Sequence, residues 1–126
     1  MFRQVQPILG TRDFTKGVAF YTEQLGFKLL FSHGDNYAGF RRDNVELHMQ
    51  FQYEHEMQGT RLRFVVDDPD ALFAEFEPLG VFHERTRLAN TPWGTREFAF
   101  YDPDGNGLTF YRDLTKAEID ALKSSG

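Results

Sequence analysis

The sequence contains no cysteine, little serine and no long apolar run. The absence of cysteine excludes a disulfide framework, a thiolate metal site and a cysteine nucleophile. Serine occurs only at Ser32, Ser124 and Ser125, without a Gly-x-Ser-x-Gly elbow, which excludes a Ser-His-Asp hydrolase. No apolar stretch approaches the about 20 residues that span a bilayer, and the N-terminus lacks the apolar centre of a signal peptide. We therefore expect a cytoplasmic protein with no membrane partner.

Basic residues are also fewer than acidic ones. The 126 residues hold 14 Lys and Arg against 19 Asp and Glu, a formal charge of −5, which disfavours binding to nucleic acid and to anionic lipid surfaces. Aromatic residues, in contrast, make up 16% of the chain and include 14 Phe. A chain of this length forms one domain with a substantial core, and this many rings exceed what that core needs. The surplus indicates a site that stacks flat rings.

The first half of the chain has the order strand, helix and three strands. Its helix follows a capping run that ends at Asp13, and Gly26 stops it. In the last strand the apolar residues alternate with Glu46 and His48, so these two side chains share a polar face. The predicted strands are 4–9, 27–31, 37–41 and 45–51.

The second half repeats this order. Asp68 can cap a helix that Pro69 opens and Gly80 ends, and Leu79-Gly80 repeats Leu25-Gly26 at the first helix end. We predict an α+β fold in which two tandem βαβββ modules, about 1–58 and 59–113, share a single domain over 1–126. The other predicted elements are a helical apolar stripe of Leu72, Phe73, Phe76 and Leu79, a strand at 61–66, a weaker strand at 82–88, strands around Phe98 and Thr109, and a C-terminal helix at 114–123.

Two local patterns are similar to metal sites. The run from Asp102 to Gly107 nearly spells a calcium-binding EF-hand loop, but strand patterns flank it where an EF-hand has helices, so a hairpin turn is predicted. His48 and Glu46 lie on one strand face, which would allow metal binding or acid–base catalysis. Such residues more commonly form a hydrogen-bonded pair.

Four segments of the chain carry a resemblance to bleomycin resistance proteins within the vicinal oxygen chelate, or glyoxalase, superfamily. The resemblance implies modules that curl into half-barrels, and a homodimer whose subunits share each crevice, often with the first strand exchanged between them. Pro7 fits such an exchanged first strand. The segments are Val5-Gln6-Pro7-Ile8-Leu9, Leu25-Gly26-Phe27, Tyr37-Ala38-Gly39 and Pro92-Trp93-Gly94-Thr95-Arg96-Glu97-Phe98.

The same resemblance locates the positions where metalloenzymes of the superfamily hold their metal. Here those positions carry Gln6, Arg61 and Thr109. An arginine repels a divalent cation and a threonine is a weak neutral ligand, so we expect no metal, no cofactor and no catalytic residues. The alternative is a metal-dependent lyase, isomerase or dioxygenase with a rearranged site that uses His48, Glu46 and Gln6.

Carried over by resemblance, the aromatic clamp around a flat drug falls on Phe31, Tyr37 and Trp93. Arg61 and Arg63 bring cations to the same crevice, where they would oppose a cationic bleomycin unless a carboxylate such as Glu46 or Glu97 pairs with them. With His48, six candidate ligand-binding residues result: Phe31, Tyr37, His48, Arg61, Arg63 and Trp93.

The resulting functional hypothesis is a metal-free protein that confers antibiotic resistance by binding. It would sequester a planar ligand, either a bleomycin-type antibiotic or an aromatic metabolite, in crevices at the dimer interface without making or breaking bonds. The metal-dependent enzyme is the alternative. A stress or scaffold protein whose cleft has no dedicated ligand is a third reading that the residues leave open.

Overall fold

The computed structural model describes residues 1–125, and the chain divides into two compact units. Unit 1 comprises 1–60 together with 102–106, and unit 2 comprises 61–101 together with the chain from Gly107 onward. The strands are β1 Ile8–Thr11, β2 Lys28–His33, β3 Tyr37–Arg42, β4 Val45–Phe51, β5 Arg61–Val65, β6 Ala89–Asn90, β7 Thr95–Tyr101 and β8 Gly107–Asp113, and the helices are α1 Phe14–Ala19, α2 Pro69–Phe76 and α3 Lys116–Ser125.

Each unit contains one four-stranded sheet, and the two sheets have the same topology. The strand order is β1-β4-β3-β2 in unit 1 and β5-β8-β7-β6 in unit 2. In each sheet the first strand pairs in parallel with the last, and the remaining pairs are antiparallel. The predicted α+β class and the twofold βαβββ order are therefore confirmed. The single-domain assignment and the module limits stay predictions, and Gly126 lies outside the described residues.

In unit 1, α1 packs on the sheet. The two residues that were predicted to bound the helix, Asp13 and Gly26, lie at the two ends of the helical segment. Asp13 caps the helix, since its carboxylate accepts a hydrogen bond from the Lys16 N–H at 3.1 Å. The helix continues as a π-helical turn over Phe20–Gln24, and Gly26 ends it at a φ of +76° that other residues rarely adopt. The unit buries Leu9, Tyr21, Leu25, Ala38, Phe40, Leu47 and Met49.

The turn between β7 and β8 belongs to unit 1, and it is a hairpin turn as predicted. Asp102 is buried and accepts hydrogen bonds from the backbone N–H groups of Asp104 and Asn106, each at 2.9 Å. Its second oxygen accepts from the Tyr21 hydroxyl at 2.7 Å and from the Asn106 amide at 2.8 Å. Burial, and then the charge of Asp102, raise the pKa of Tyr21 well above its ordinary value. Asn106 also donates to the Gly10 carbonyl.

In unit 2, a phenylalanine-rich core lies between α2 and the sheet. Asp68 caps α2 through the Ala71 N–H at 3.1 Å, and Gly80 ends the helical segment at a φ of +73°. Leu79, predicted for the apolar stripe, is 42% exposed because it follows Pro78 in a 3₁₀ turn. The core consists of Phe64, Phe76, Phe98, Phe100, Leu108, Phe110 and Leu114.

Three predicted elements were misplaced. The strand predicted at 4–9 starts only at Ile8, because Pro7 has no N–H to donate. Pro7 contributes only its carbonyl, which accepts from the backbone N–H of His48 at 2.8 Å. The strand predicted at 82–88 is a turn, in which the Thr86 N–H donates to the His83 carbonyl at 3.0 Å, and the strand is the two residues Ala89–Asn90. The C-terminal helix predicted at 114–123 is Lys116–Ser125. No helix in the described part of the chain is long and apolar enough to cross a membrane.

Candidate functional site

Three of the predicted site residues form an aromatic–histidine cluster on the sheet of unit 1: Phe31 on β2, Tyr37 on β3 and His48 on β4. The rings of Phe31 and Tyr37 are nearly parallel, 15° apart, with centroids 6.1 Å from each other. The His48 ring stands edge-on to both, at 5.4 Å from each. The Phe31 and Tyr37 side chains are partly exposed, so the cluster can offer ring surface to a planar ligand.

A glycine makes the position of Phe31 possible. Gly39 pairs with Phe31 across β2 and β3, and the Phe31 ring lies over its Cα. A Cβ at Gly39 would be only 2.4 Å from Phe31 Cε1 and 2.7 Å from Cζ, well inside normal contact. Any larger residue at this position would push the ring out of the cluster.

A chain of hydrogen bonds holds the histidine of the cluster. The Tyr37 hydroxyl is 2.6 Å from His48 Nδ1, and His48 Nε2 is 2.8 Å from Glu46 Oε2. A carboxylate only accepts and a phenol donates, so Nε2 carries the proton and Nδ1 accepts. Glu46 also accepts from Arg41 at 2.9 Å and from the Gln6 amide at 2.8 Å. Hydrogen bonding by His48 and then by Arg41 lowers the pKa of Glu46 against partial desolvation.

In unit 2, Glu97 on β7 links two further predicted residues. Its Oε1 accepts from the Trp93 indole N–H at 3.1 Å and from the Thr95 hydroxyl at 2.6 Å. The same oxygen lies 3.7 Å from the Arg63 guanidinium, which also stacks on the Tyr111 ring at 4.2 Å. Trp93 remains 67% exposed, so its indole edge is fixed while its faces stay open.

Unit 2 also contains a cavity of about 860 Å³ on its sheet. Arg61 and Arg63 of β5 form one wall, and the His83–Thr86 turn forms another. This volume lies within the range of small-molecule sites, about 300–1,000 Å³. The floor between the walls has small side chains: Ala99, Gly107 and Thr109.

The six predicted residues therefore fall into two groups, each within one unit: Phe31, Tyr37 and His48 in unit 1, and Arg61, Arg63 and Trp93 in unit 2. Of the two carboxylates named from the sequence as possible partners of the crevice arginines, Glu97 lies beside Arg63, whereas Glu46 pairs with Arg41 and His48. Sequence reasoning missed Gly39, Arg85, Tyr101 and Tyr111. The pattern Tyr37-Ala38-Gly39 did mark the glycine, but nothing local reveals which ring lies over it.

The family model described as the Glyoxalase/Bleomycin resistance protein/Dioxygenase superfamily matches residues 3–110. The chain belongs to this superfamily. The bleomycin resistance protein of Geobacillus stearothermophilus is 29% identical over 129 aligned positions that cover 86% of this chain and 95% of that protein. The bleomycin resistance protein of Staphylococcus aureus matches with the same identity and coverage. The recognised resemblance is thus confirmed by sequence.

Solved structures of superfamily members share the fold. The bleomycin-binding protein of bleomycin-producing Streptomyces verticillus, complexed with copper(II)-bleomycin, superposes with a TM-score of 0.77 at 29% identity and covers 92% of this chain and 98% of that chain. A lactoylglutathione lyase from Agrobacterium tumefaciens has a TM-score of 0.71 at 18% identity, with 87% and 92% covered. At this identity the lyase shares only the fold with this chain.

The residues do not fit the metal site that metalloenzymes of the superfamily carry. By resemblance the ligand positions carry Gln6, Arg61 and Thr109, and a guanidinium cation repels a divalent metal ion. Elsewhere in residues 1–125, no group of three or more His, Asp or Glu side chains is arranged to hold a metal ion. In the rearranged site considered from sequence, both ring nitrogens of His48 are engaged, by Tyr37 and by Glu46.

Proposed function

We propose that this superfamily member is a cytoplasmic binding protein that sequesters a planar ligand, a bleomycin-type antibiotic or an aromatic metabolite, and makes or breaks no bond. The aromatic–histidine cluster is the observation that carries the proposal. Phe31 and Tyr37 present near-parallel rings, and ring stacking adds about 0.5–1.5 kcal/mol to plain burial. In unit 2, Trp93 offers a separate exposed ring whose indole edge is anchored on Glu97. Relatives named for bleomycin resistance and bleomycin binding support the same class of function.

The proposal includes a homodimer whose subunits share the ligand crevices. Apolar side chains that a monomer would leave in water support it: Phe2 is 103% exposed, Val5 86% and Ile8 51%. These residues lie at or before the start of β1, where a partner chain could cover them. Light scattering tests the dimer, since a mass of 14.7 kDa at micromolar concentration would contradict it.

Calorimetric titration tests the binding function. Bleomycin, with and without copper(II), and the neutral planar probe 2-naphthamide are titrated into the protein and into Phe31→Ala. We expect saturable binding of at least one of them, weakened about five- to tenfold by Phe31→Ala through the lost stacking surface. Tyr53→Ala is the matched control, because Tyr53 is a 63% exposed ring outside the cluster, and it should bind as the wild type does. If none of these compounds binds, the proposed function is wrong.

A metal-dependent enzyme is the second candidate, favoured by the contact among Gln6, Glu46 and His48. The Gln6 amide N–H and His48 Nε2 each lie 2.8 Å from Glu46 Oε2, so the three side chains are already together, and a metal would have to replace these hydrogen bonds and bind the Gln6 oxygen and an unprotonated His48 nitrogen. Metal analysis of the purified protein separates the candidates. One tightly held equivalent of zinc, iron or manganese that is lost in His48→Ala would overturn the metal-free binding proposal in favour of the metal-dependent candidate.

A further inference from the structure

We propose that the cavity of unit 2 is an anion-recognition subsite, which takes the carboxylate, sulfate or phosphate group of a planar aromatic ligand. The inference rests on the proposed binding function and specifies the chemistry of the ligand. The observation behind it is the charge of the cavity walls. Three arginines, Arg61, Arg63 and Arg85, line a single cavity in a chain whose overall charge is −5.

Two of these arginines have no carboxylate partner. Within residues 1–125, neither Arg61 nor Arg85 lies within 4.0 Å of an acidic side chain, whereas Arg63 has Glu97 at 3.7 Å. Both residues are exposed, so an incoming anion can reach their side chains. A guanidinium presents a planar fork of N–H donors that matches a carboxylate or phosphate oxygen pair.

Among the residues that line the cavity, Glu84 is the one acidic side chain. Since Glu97 is the partner of Arg63, Arg61 and Arg85 against Glu84 leave the cavity with net positive charge, which attracts anions and repels cations. A cationic ligand would have to bring its charge next to guanidinium groups, and such like-charge contact is costly in a partly enclosed site. The arginines therefore select against a cationic planar ligand and in favour of an acidic one.

The floor and one wall of the cavity suit a flat ring. The Gly107 position is flanked by the Arg61 stem and the Tyr101 ring, each 3.4 Å from where a Cβ would lie, so the floor stays low between them. Tyr101 is 48% exposed and lines the cavity, and its ring stands edge-on to His83 with centroids at 5.3 Å. A ring packed against Tyr101 would have its acidic substituent within the arginine-lined space.

The test compares two probes of the same shape, 2-naphthoate and 2-naphthamide, by calorimetric titration at low and high salt. Wild-type protein should bind the naphthoate at least fivefold more tightly, and salt should reduce this preference because it screens the charge. Arg61→Gln and Arg85→Gln should each weaken naphthoate binding about fivefold, and the double variant about twentyfold, with naphthamide binding unchanged. Lys116→Gln removes the same charge from α3, outside the cavity, and should leave both affinities as they are.

Two results would overturn the inference. One is equal binding of naphthoate and naphthamide by the wild type; the other is a loss in the arginine variants that is the same for both probes, since a merely structural role affects both. In either case planar binding itself persists and the proposed function stands. If neither naphthyl probe nor bleomycin binds, the proposed function fails and this inference fails with it.

Discussion

The Gly39→Ala variant tests whether the position of Phe31 matters for ligand binding. Carbon atoms in contact are about 3.5–4.0 Å apart, and the new methyl carbon would lie 2.4 Å from Phe31 Cε1. The ring must therefore move by about 1.1 Å or more. A gap of 0.5–1 Å already removes roughly a quarter to a half of a dispersion contact, so a displacement of this size removes about half or more of the stacking contribution of Phe31.

Stacking of one ring is worth about 1 kcal/mol, so losing between half and all of it should weaken the binding of a planar ligand about two- to fivefold. Stability should change little. Alanine in a strand gains about 0.5–1 kcal/mol over glycine through lower chain entropy, which offsets part of the cost of moving a ring that is itself partly exposed. Calorimetric titration with bleomycin or 2-naphthamide, together with urea unfolding, measures both quantities.

The control is the same substitution in a Phe31→Ala background. Without the ring there is nothing for the new methyl group to displace, so Gly39→Ala should leave binding unchanged there, and a double-mutant cycle should show the coupling. Two outcomes would refute the reasoning: equal losses in both backgrounds, or a Gly39→Ala variant that binds as tightly as the wild type. Either would mean that the side chain at residue 39 does not act on binding through the position of the Phe31 ring.

Three further predictions concern single side chains. Trp93→Ala should weaken planar-ligand binding by about 1–3 kcal/mol while the urea midpoint hardly moves, because the ring is 67% exposed. Tyr21→Phe should lower the free energy of unfolding at pH 7 by about 1.5–3 kcal/mol. Because folding raises the pKa of Tyr21, the stability of the wild type should fall as pH rises above the unfolded tyrosine pKa of about 10. The variant should lack the part of this fall that Tyr21 causes. Hydrogen bonding by Arg112 lowers the pKa of Glu118 to about 2. The stability that the ionised Glu118 gives to α3 is therefore present above about pH 4.3 and is lost as pH falls toward 2. Glu118→Gln should remove this part of the acid transition, as measured by circular dichroism.

Residues with a strong local signal were predictable from the sequence. Asp13 and Asp68 cap helices because a carboxylate satisfies free backbone N–H groups at a helix start, and Gly26 and Gly80 end helical segments because they accept a positive φ. Alternation along β4 correctly put His48 and Glu46 on one face. Each of these signals spans only a few residues, so neighbouring sequence is sufficient to reveal it.

The partners of the site residues were less accessible. Glu97 accepts from Trp93 and lies near Arg63, and these contacts join residues from separate strands and loops, which no local pattern encodes. Arg85 could not be assigned to the site because residues 82–88 have a weak strand pattern. In the structure Phe82 packs against Phe98, and the turn that follows Phe82 places Arg85 in the cavity wall. Side-chain partners of this kind depend on tertiary packing, and propensity does not specify them.

The assignment of the 102–106 turn to unit 1 limits where this protein can be divided. A fragment that stopped at residue 60 would lack Asp102 and Asn106, and the hydroxyl of Tyr21 would lose its acceptor in the interior. A split protein or a duplicated first module built from residues 1–60 would therefore have an unpaired buried tyrosine hydroxyl, even though its sheet would be complete. A circular permutant with new termini at the exposed Gly34-Asp35 turn keeps this network whole, and the turn is the natural place to open the chain for a sensor.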